Sequence, residues 1–135
     1  MTIAAPAIIL TGFVTLVAIL ITLGFAILVG RTRGRVRIDA PAMSGHPDLE
    51  RALRIQGNTV EQIVIFLPAL WSFAIFISPV WAAGLGIVFI VGRLLYFTGY
   101  TKSAEKRSLG FSLSMFPTLF LLIGGLFGAV RAALG

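Results

Sequence analysis

An all-α integral membrane four-helix bundle is the fold that this sequence predicts. Hydrophobic residues fill 58% of the 135 positions and charged residues only 12%. Mean hydropathy is +1.00. Nearly all basic residues gather in two short stretches, 31–54 and 93–107, that separate long uncharged runs. Soluble domains carry about 25% charged residues. A chain of one-domain length has no interior large enough to hide this much apolar surface, so lipid must replace water around much of it.

A helix crosses the hydrocarbon core with about 20 apolar residues, and the first span is expected at roughly 3–30. Arg31, Arg33, Arg35 and Arg37 end it. This segment lacks a basic leader and exceeds the apolar core of about 7–15 residues found in cleavable signals, so it reads as a retained helix. Asp39, Pro41, Ser44, Gly45, His46 and Pro47 form a polar loop, and Asp48 is expected to cap a second helix over roughly 48–77. The uncharged run 62–92 is too long for one crossing. Proline disfavours helical geometry in the residue before it, so Ser78-Pro79 should turn the chain into a third helix at roughly 80–102. The fourth is expected at roughly 108–131, with Pro117 tolerated inside it and Gly110, Gly124, Gly125 and Gly128 permitting close contact. The whole chain, 1–135, reads as a single domain.

The basic loops after helices one and three should both face the cytoplasm, which puts both termini on the other side. Short loops without a retention signal point to a bacterial inner membrane. The net charge of +6 then reflects topology, and nucleic acid is not an expected partner. Arg31, Arg35 and Arg37 read as headgroup contacts, Trp71 and Trp81 as interfacial belt anchors, Lys102 and Lys106 as solvated, and Ser103 and Ser108 as caps. His46 lies in a loop with no partner pattern. There is no cysteine, so the chain offers no disulfide, thiolate metal site or cysteine nucleophile, and thiol chemistry would need a thiol carried in on a ligand. No metal site is expected.

The informative residues are polar ones placed where lipid makes them costly. At about 100° per residue, Arg51, Asn58 and Glu61 all fall within about 60° of Arg54 on one face of helix two. Tyr96, Tyr100, Ser103 and Arg107 would form a similar stripe if helix three continued that far, with Arg93 on its edge. A charge near the membrane centre costs about 2.5–3.5 kcal/mol even on lenient scales. Two readings fit. One is an ion-pair network that locks helices together, with arginines snorkelling to the headgroups and Glu61 paired with Arg54 or a neighbour's arginine. The other is a site for a polar, anionic ligand.

The segment Glu50-Arg51-Ala52-Leu53-Arg54-Ile55-Gln56-Gly57-Asn58-Thr59-Val60-Glu61 resembles the helix-two signature of MAPEG, the membrane-associated proteins in eicosanoid and glutathione metabolism. Arg93-Leu94-Leu95-Tyr96-Phe97-Thr98-Gly99-Tyr100, followed by Arg107, resembles that family's second signature. The likeness runs from Arg33 into the fourth helix. It implies a homotrimer that binds glutathione between subunits near the cytoplasmic face, with a hydrophobic small molecule and membrane lipids as further partners. It also implies glutathione binding by Arg33, Arg54, Gln56, Asn58, Glu61, Tyr96 and Tyr100, with Arg107 as the catalytic residue that activates the thiol. Gly34, Gln62 and Leu119 depart from the eicosanoid-synthesising branch, which has arginine, tyrosine and tryptophan there. The last difference argues against an eicosanoid substrate and leaves the glutathione site intact.

These residue types suit that ligand. Arginines form forked bonds to its two carboxylates, Glu61 can take its ammonium, and Asn58 and Gln56 can meet its amides. The expected activity is that of a glutathione-dependent transferase or peroxidase acting on hydrophobic electrophiles or hydroperoxides. The alternatives are a non-catalytic lipid-binding scaffold of the same family and a small channel or transporter subunit. Arg107 argues against the scaffold, because the scaffold branch lacks it.

Overall fold

The computed structural model describes residues 6–102 and 107–135. Within them the chain forms four helices: α1 Pro6–Val36, α2 Pro47–Phe76, α3 Pro79–Lys102 and α4 Arg107–Leu134. Each is long and apolar enough to cross a membrane. Helices α2 and α3 pack together at the centre, α1 lies against both on one side and α4 against both on the other, and α1 and α4 do not touch.

Helix α1 continues beyond its expected end near residue 30, through Arg31, Arg33 and Arg35. Those charges end the apolar segment but not the backbone ladder, since arginine is a good helix former. The helix stops where Arg37 turns left-handed (φ 57°) and the Ile38 N–H reaches back to the Arg33 carbonyl at 3.2 Å, a 6→1 closure. Helix α2 is capped by His46 rather than by the expected Asp48. His46 is extended, its Nδ1 accepts the Asp48 N–H at 3.0 Å, and Pro47 follows as the first helical residue. Proline suits that position because its missing donor is not needed there. Asp48 instead sits in the first turn, where the helix dipole favours an acid, and pairs with Arg35 at 2.9 Å.

A two-residue connection joins α2 to α3. The N–H groups of Ile77 and Ser78 share the Phe73 carbonyl, each at 2.9 Å, and Ser78 Oγ accepts the Trp81 N–H at 3.3 Å. Proline lies inside α2 at Pro68 as well as inside α4 at Pro117; the former carries no sequence signal strong enough to divide the helix. Hydroxyls that face lipid or packed helix find acceptors nearby. Thr22, Thr32, Ser114 and Thr118 each donate to the carbonyl four residues back, at 2.8–2.9 Å, which satisfies a polar group without water.

The half of the bundle near the α2–α3 turn is dry. Phe66 of α2 stacks on Phe89 of α3 with centroids 3.8 Å apart and planes 6° from parallel, among buried Val14, Leu70, Phe73 and Leu121. Trp71 belongs to this half rather than to a belt alone. It is half-buried, and its Nε1 donates to Thr15 Oγ1 of α1 at 2.9 Å. Trp81 is 69% exposed, as an interfacial anchor requires. Helices α3 and α4 touch backbone to backbone. A Cβ on Gly92 would stand 2.6 Å from the Ser114 nitrogen, and one on Gly110 would overlap the Tyr96 backbone. Only glycine permits that approach, and it is what brings the start of α4 up to the tyrosines of α3.

Candidate functional site

The opposite half of the bundle holds a polar cavity of about 570 Å³ lined by Arg54, Gly57, Asn58, Glu61, Tyr96, Tyr100, Arg107 and Phe111. Helical spacing assembles it. Arg54, Asn58 and Glu61 are one stripe of α2, Tyr96 and Tyr100 are successive turns of α3, and Arg107 and Phe111 are successive turns of α4. The larger concavity, about 690 Å³ between α1 and α3, has mostly apolar walls. Of the two, only the smaller has charges of both signs on its walls.

Arg54 Nη1 donates to the Tyr100 hydroxyl at 3.2 Å. The Arg107 guanidinium lies 5.2 Å from the centroid of the same ring, within cation–π range, and the Tyr96 and Tyr100 rings are 5.6 Å apart. Glu61 does not pair with Arg54. The ion pairs among the described residues are those of Asp48 with Arg35 and with Arg51. Within one chain the cavity thus keeps its single carboxylate and its two arginines apart instead of neutralising them against each other. That arrangement departs from the ion-pair lock and leaves all three side chains available to a ligand.

Arg93, which the helical phase puts on the edge of the α3 stripe, is the largest fully buried side chain among the described residues, 1% exposed. Its Nη1 donates to Asn58 Oδ1 at 2.8 Å and to Thr59 Oγ1 at 3.2 Å, and its guanidinium stacks 4.4 Å above the Tyr96 ring. Nε and Nη2 are buried without a hydrogen-bond partner. With its oxygen held by Arg93, Asn58 has its amide N–H groups left for the cavity. The signal for this role was present in the sequence, since Arg93 is the first charge after the uncharged run 62–92 and has no loop within reach. Gln62 also turns inward, 4% exposed, and is not a wall of the cavity. Its amide atoms have no hydrogen-bond partner.

Two of the expected ligand contacts are not brought to the cavity by their own chain. Arg33 donates to the carbonyls of Ile38 at 3.3 Å and Ala42 at 2.6 Å, fastening the α1–α2 loop, and Gln56 is half-buried away from the cavity walls. Ser103 and Lys106 lie outside the described residues. Among the described residues no three histidine, cysteine or acidic side chains are grouped so as to hold a metal ion.

The MAPEG family model matches residues 11–127. An uncharacterized protein of Synechocystis sp. is 44% identical over 115 residues, covering 85% of this chain and 84% of its own length. Microsomal glutathione S-transferase 2 of Homo sapiens is 40% identical over 110 residues, 82% of this chain and 75% of its own. Leukotriene C4 synthase of Cavia porcellus is 36% identical over 134 residues, 93% of this chain and 89% of its own. The matched span takes in most of every helix and both polar stripes that meet at the cavity. With four membrane-crossing helices, a family match over most of its length and relatives at these identities, this multi-pass membrane protein belongs to the MAPEG family.

Proposed function

We propose that the chain is a glutathione-dependent transferase or peroxidase for hydrophobic substrates dissolved in the membrane. The observation that carries this reading is the convergence of Arg54, Asn58, Glu61, Tyr96, Tyr100 and Arg107 on one cavity. Glutathione bears two carboxylates, one ammonium, two amides and a thiol. Arg54 suits a carboxylate, Glu61 the ammonium, and the Asn58 N–H groups an amide carbonyl or a carboxylate oxygen.

Arg107 is assigned to the sulfur. A free thiol ionises near pH 8.5, and a neighbouring cation lowers that value, each unit being worth about 1.4 kcal/mol. In conjugation the thiolate forms a carbon–sulfur bond, the leaving group departs with its electron pair, and the thiol proton goes to solvent. In peroxide reduction the thiolate attacks the O–O bond and releases an alcohol. The resulting sulfenic acid then takes a second glutathione, giving disulfide and water.

The functional unit in this reading is a homotrimer. Arg33 and Gln56, which do not reach the cavity of their own chain, complete the cavity of a neighbour across the subunit boundary. The two basic loops face the cytoplasm of a bacterium, with the chain in its inner membrane and both termini outside.

Purified protein should conjugate glutathione to an aryl halide. The rate should rise with pH through an inflection below that of the free thiol. In Arg107→Ala the inflection should move up toward the free value while helicity stays unchanged. Turnover unaffected by Arg107→Ala would overturn the assignment, and glutathione binding without turnover in the wild type would favour the scaffold reading.

A further inference from the structure

We propose that the groove between α1 and α3 is a binding site for one anionic phospholipid of the surrounding membrane, separate from the polar cavity and on a different face of the bundle. The groove has a volume of about 690 Å³. Its α1 wall is a continuous helical stripe through Ile21, Gly24, Leu28, Arg31 and Arg35, and Leu94 and Phe97 of α3 form the opposite wall.

The stripe changes character along its length. Over its first turns it is wholly apolar, and over its last two it carries Arg31 and Arg35, four residues apart and therefore one above the other on the same face. From Gly24 to Arg35 the rise is about 16 Å. Acyl chain below and phosphate above is the order in which a phospholipid of the same leaflet presents its parts. Gly24 opens the floor, for a Cβ there would meet nothing within 4 Å, so the gap is accessible to a chain lying along the helix.

Charge complementarity selects the headgroup. Both arginines are exposed. Among the described residues Arg31 has no acid within ion-pair distance, and Arg35 shares Asp48 with Arg51, at 2.9 and 3.9 Å from that carboxylate. The groove mouth therefore keeps a net positive charge that a zwitterionic headgroup cannot balance and an anionic one can.

The test is native mass spectrometry of the full chain in detergent, titrated with dioleoylphosphatidylglycerol or dioleoylphosphatidylcholine. The wild type should retain phosphatidylglycerol with an apparent Kd about tenfold lower than phosphatidylcholine, a preference of the size that arginines near an anionic surface supply. The double variant Arg31→Gln, Arg35→Gln should bind both lipids alike, at the phosphatidylcholine level. Gly24→Leu, which projects into open space and should leave the fold intact, should weaken both lipids. Equal affinities in the wild type, or a preference that survives the double variant, would overturn the proposal. So would a Gly24→Leu protein that binds like the wild type, or displacement of the lipid by inorganic phosphate alone. None of these readouts involves glutathione, so the outcome is independent of the catalytic reading.

Discussion

Helix α2 passes through two environments built on opposite principles. From Arg54 to Gln62 it faces tyrosines and arginines of α3 and α4 across a polar cavity, while from Phe66 to Ala74 the same helix is packed into a dry core with Phe89 and Leu121. Both halves pack against the same two neighbours, α3 and α4. In the dry half position is set by shape, with Phe66 and Phe89 stacked plane on plane. In the polar half it is set by a few directional bonds that leave capacity unspent, such as the buried Nε and Nη2 of Arg93. One helix can thus combine a rigid anchor with a chemically unsaturated surface, provided that the two are kept a few turns apart.

The contrast can be broken from either end. The largest effect on stability should come from Phe66→Ala. Loss of a fully buried aromatic ring costs about 3–5 kcal/mol, and thermal unfolding in detergent should fall markedly while the pH profile of any residual turnover keeps its inflection. Next comes Arg107→Ala, which should lower the rate of glutathione conjugation about a hundredfold, the scale of removing one charge-stabilising donor, at an unchanged unfolding temperature. If the two substitutions exchange their readouts, the division into scaffold half and reactive half is wrong.

Arg93→Met sharpens the comparison, because Arg93 lies inside the bundle yet holds a wall of the cavity. Removing an incompletely paired buried cation relieves a desolvation cost, and this offsets the bonds lost at Asn58 and Thr59. Unfolding temperature should therefore move little, whereas freeing Asn58 should weaken glutathione binding about tenfold by isothermal titration. A large drop in stability with unchanged binding would make Arg93 a structural strut. The smallest effect is expected from Tyr100→Phe, which removes only the hydroxyl that Arg54 donates to. Affinity should fall about fivefold, the scale of one hydrogen bond, with turnover of the saturated protein nearly unchanged.

The membrane crossings were legible in the sequence because hydrocarbon thickness imposes a length, and Arg31, Ser78-Pro79 and Arg107 punctuate the chain near each boundary. The polar stripes were legible for a similar reason, since Arg54, Asn58 and Glu61 share a face whatever surrounds them. What helical phase does not contain is the identity of the neighbour. Arg93 and Gln62 have the phases of near-cavity residues but turn inward, because the angle around one helix says nothing about where the next helix lies. The His46 cap was hidden by a competing rule: Asp48 is itself a good cap by residue type, and only the extended backbone of His46 with Pro47 after it decides between them. The contact of Gly110 with the Tyr96 backbone depends on register between α3 and α4, which no single-helix pattern encodes.

The loop staple made by Arg33 has a further consequence. A single nitrogen of its guanidinium, Nη1, serves the carbonyls of Ile38 and Ala42, which leaves the forked edge of Nε and Nη2 for a carboxylate. A ligand that recruited Arg33 by that edge would leave the 38–42 segment fastened, so binding and tethering of that loop would reinforce each other. Backbone amide exchange in this stretch would then slow on ligand addition, and a quickening would show that the staple had been broken.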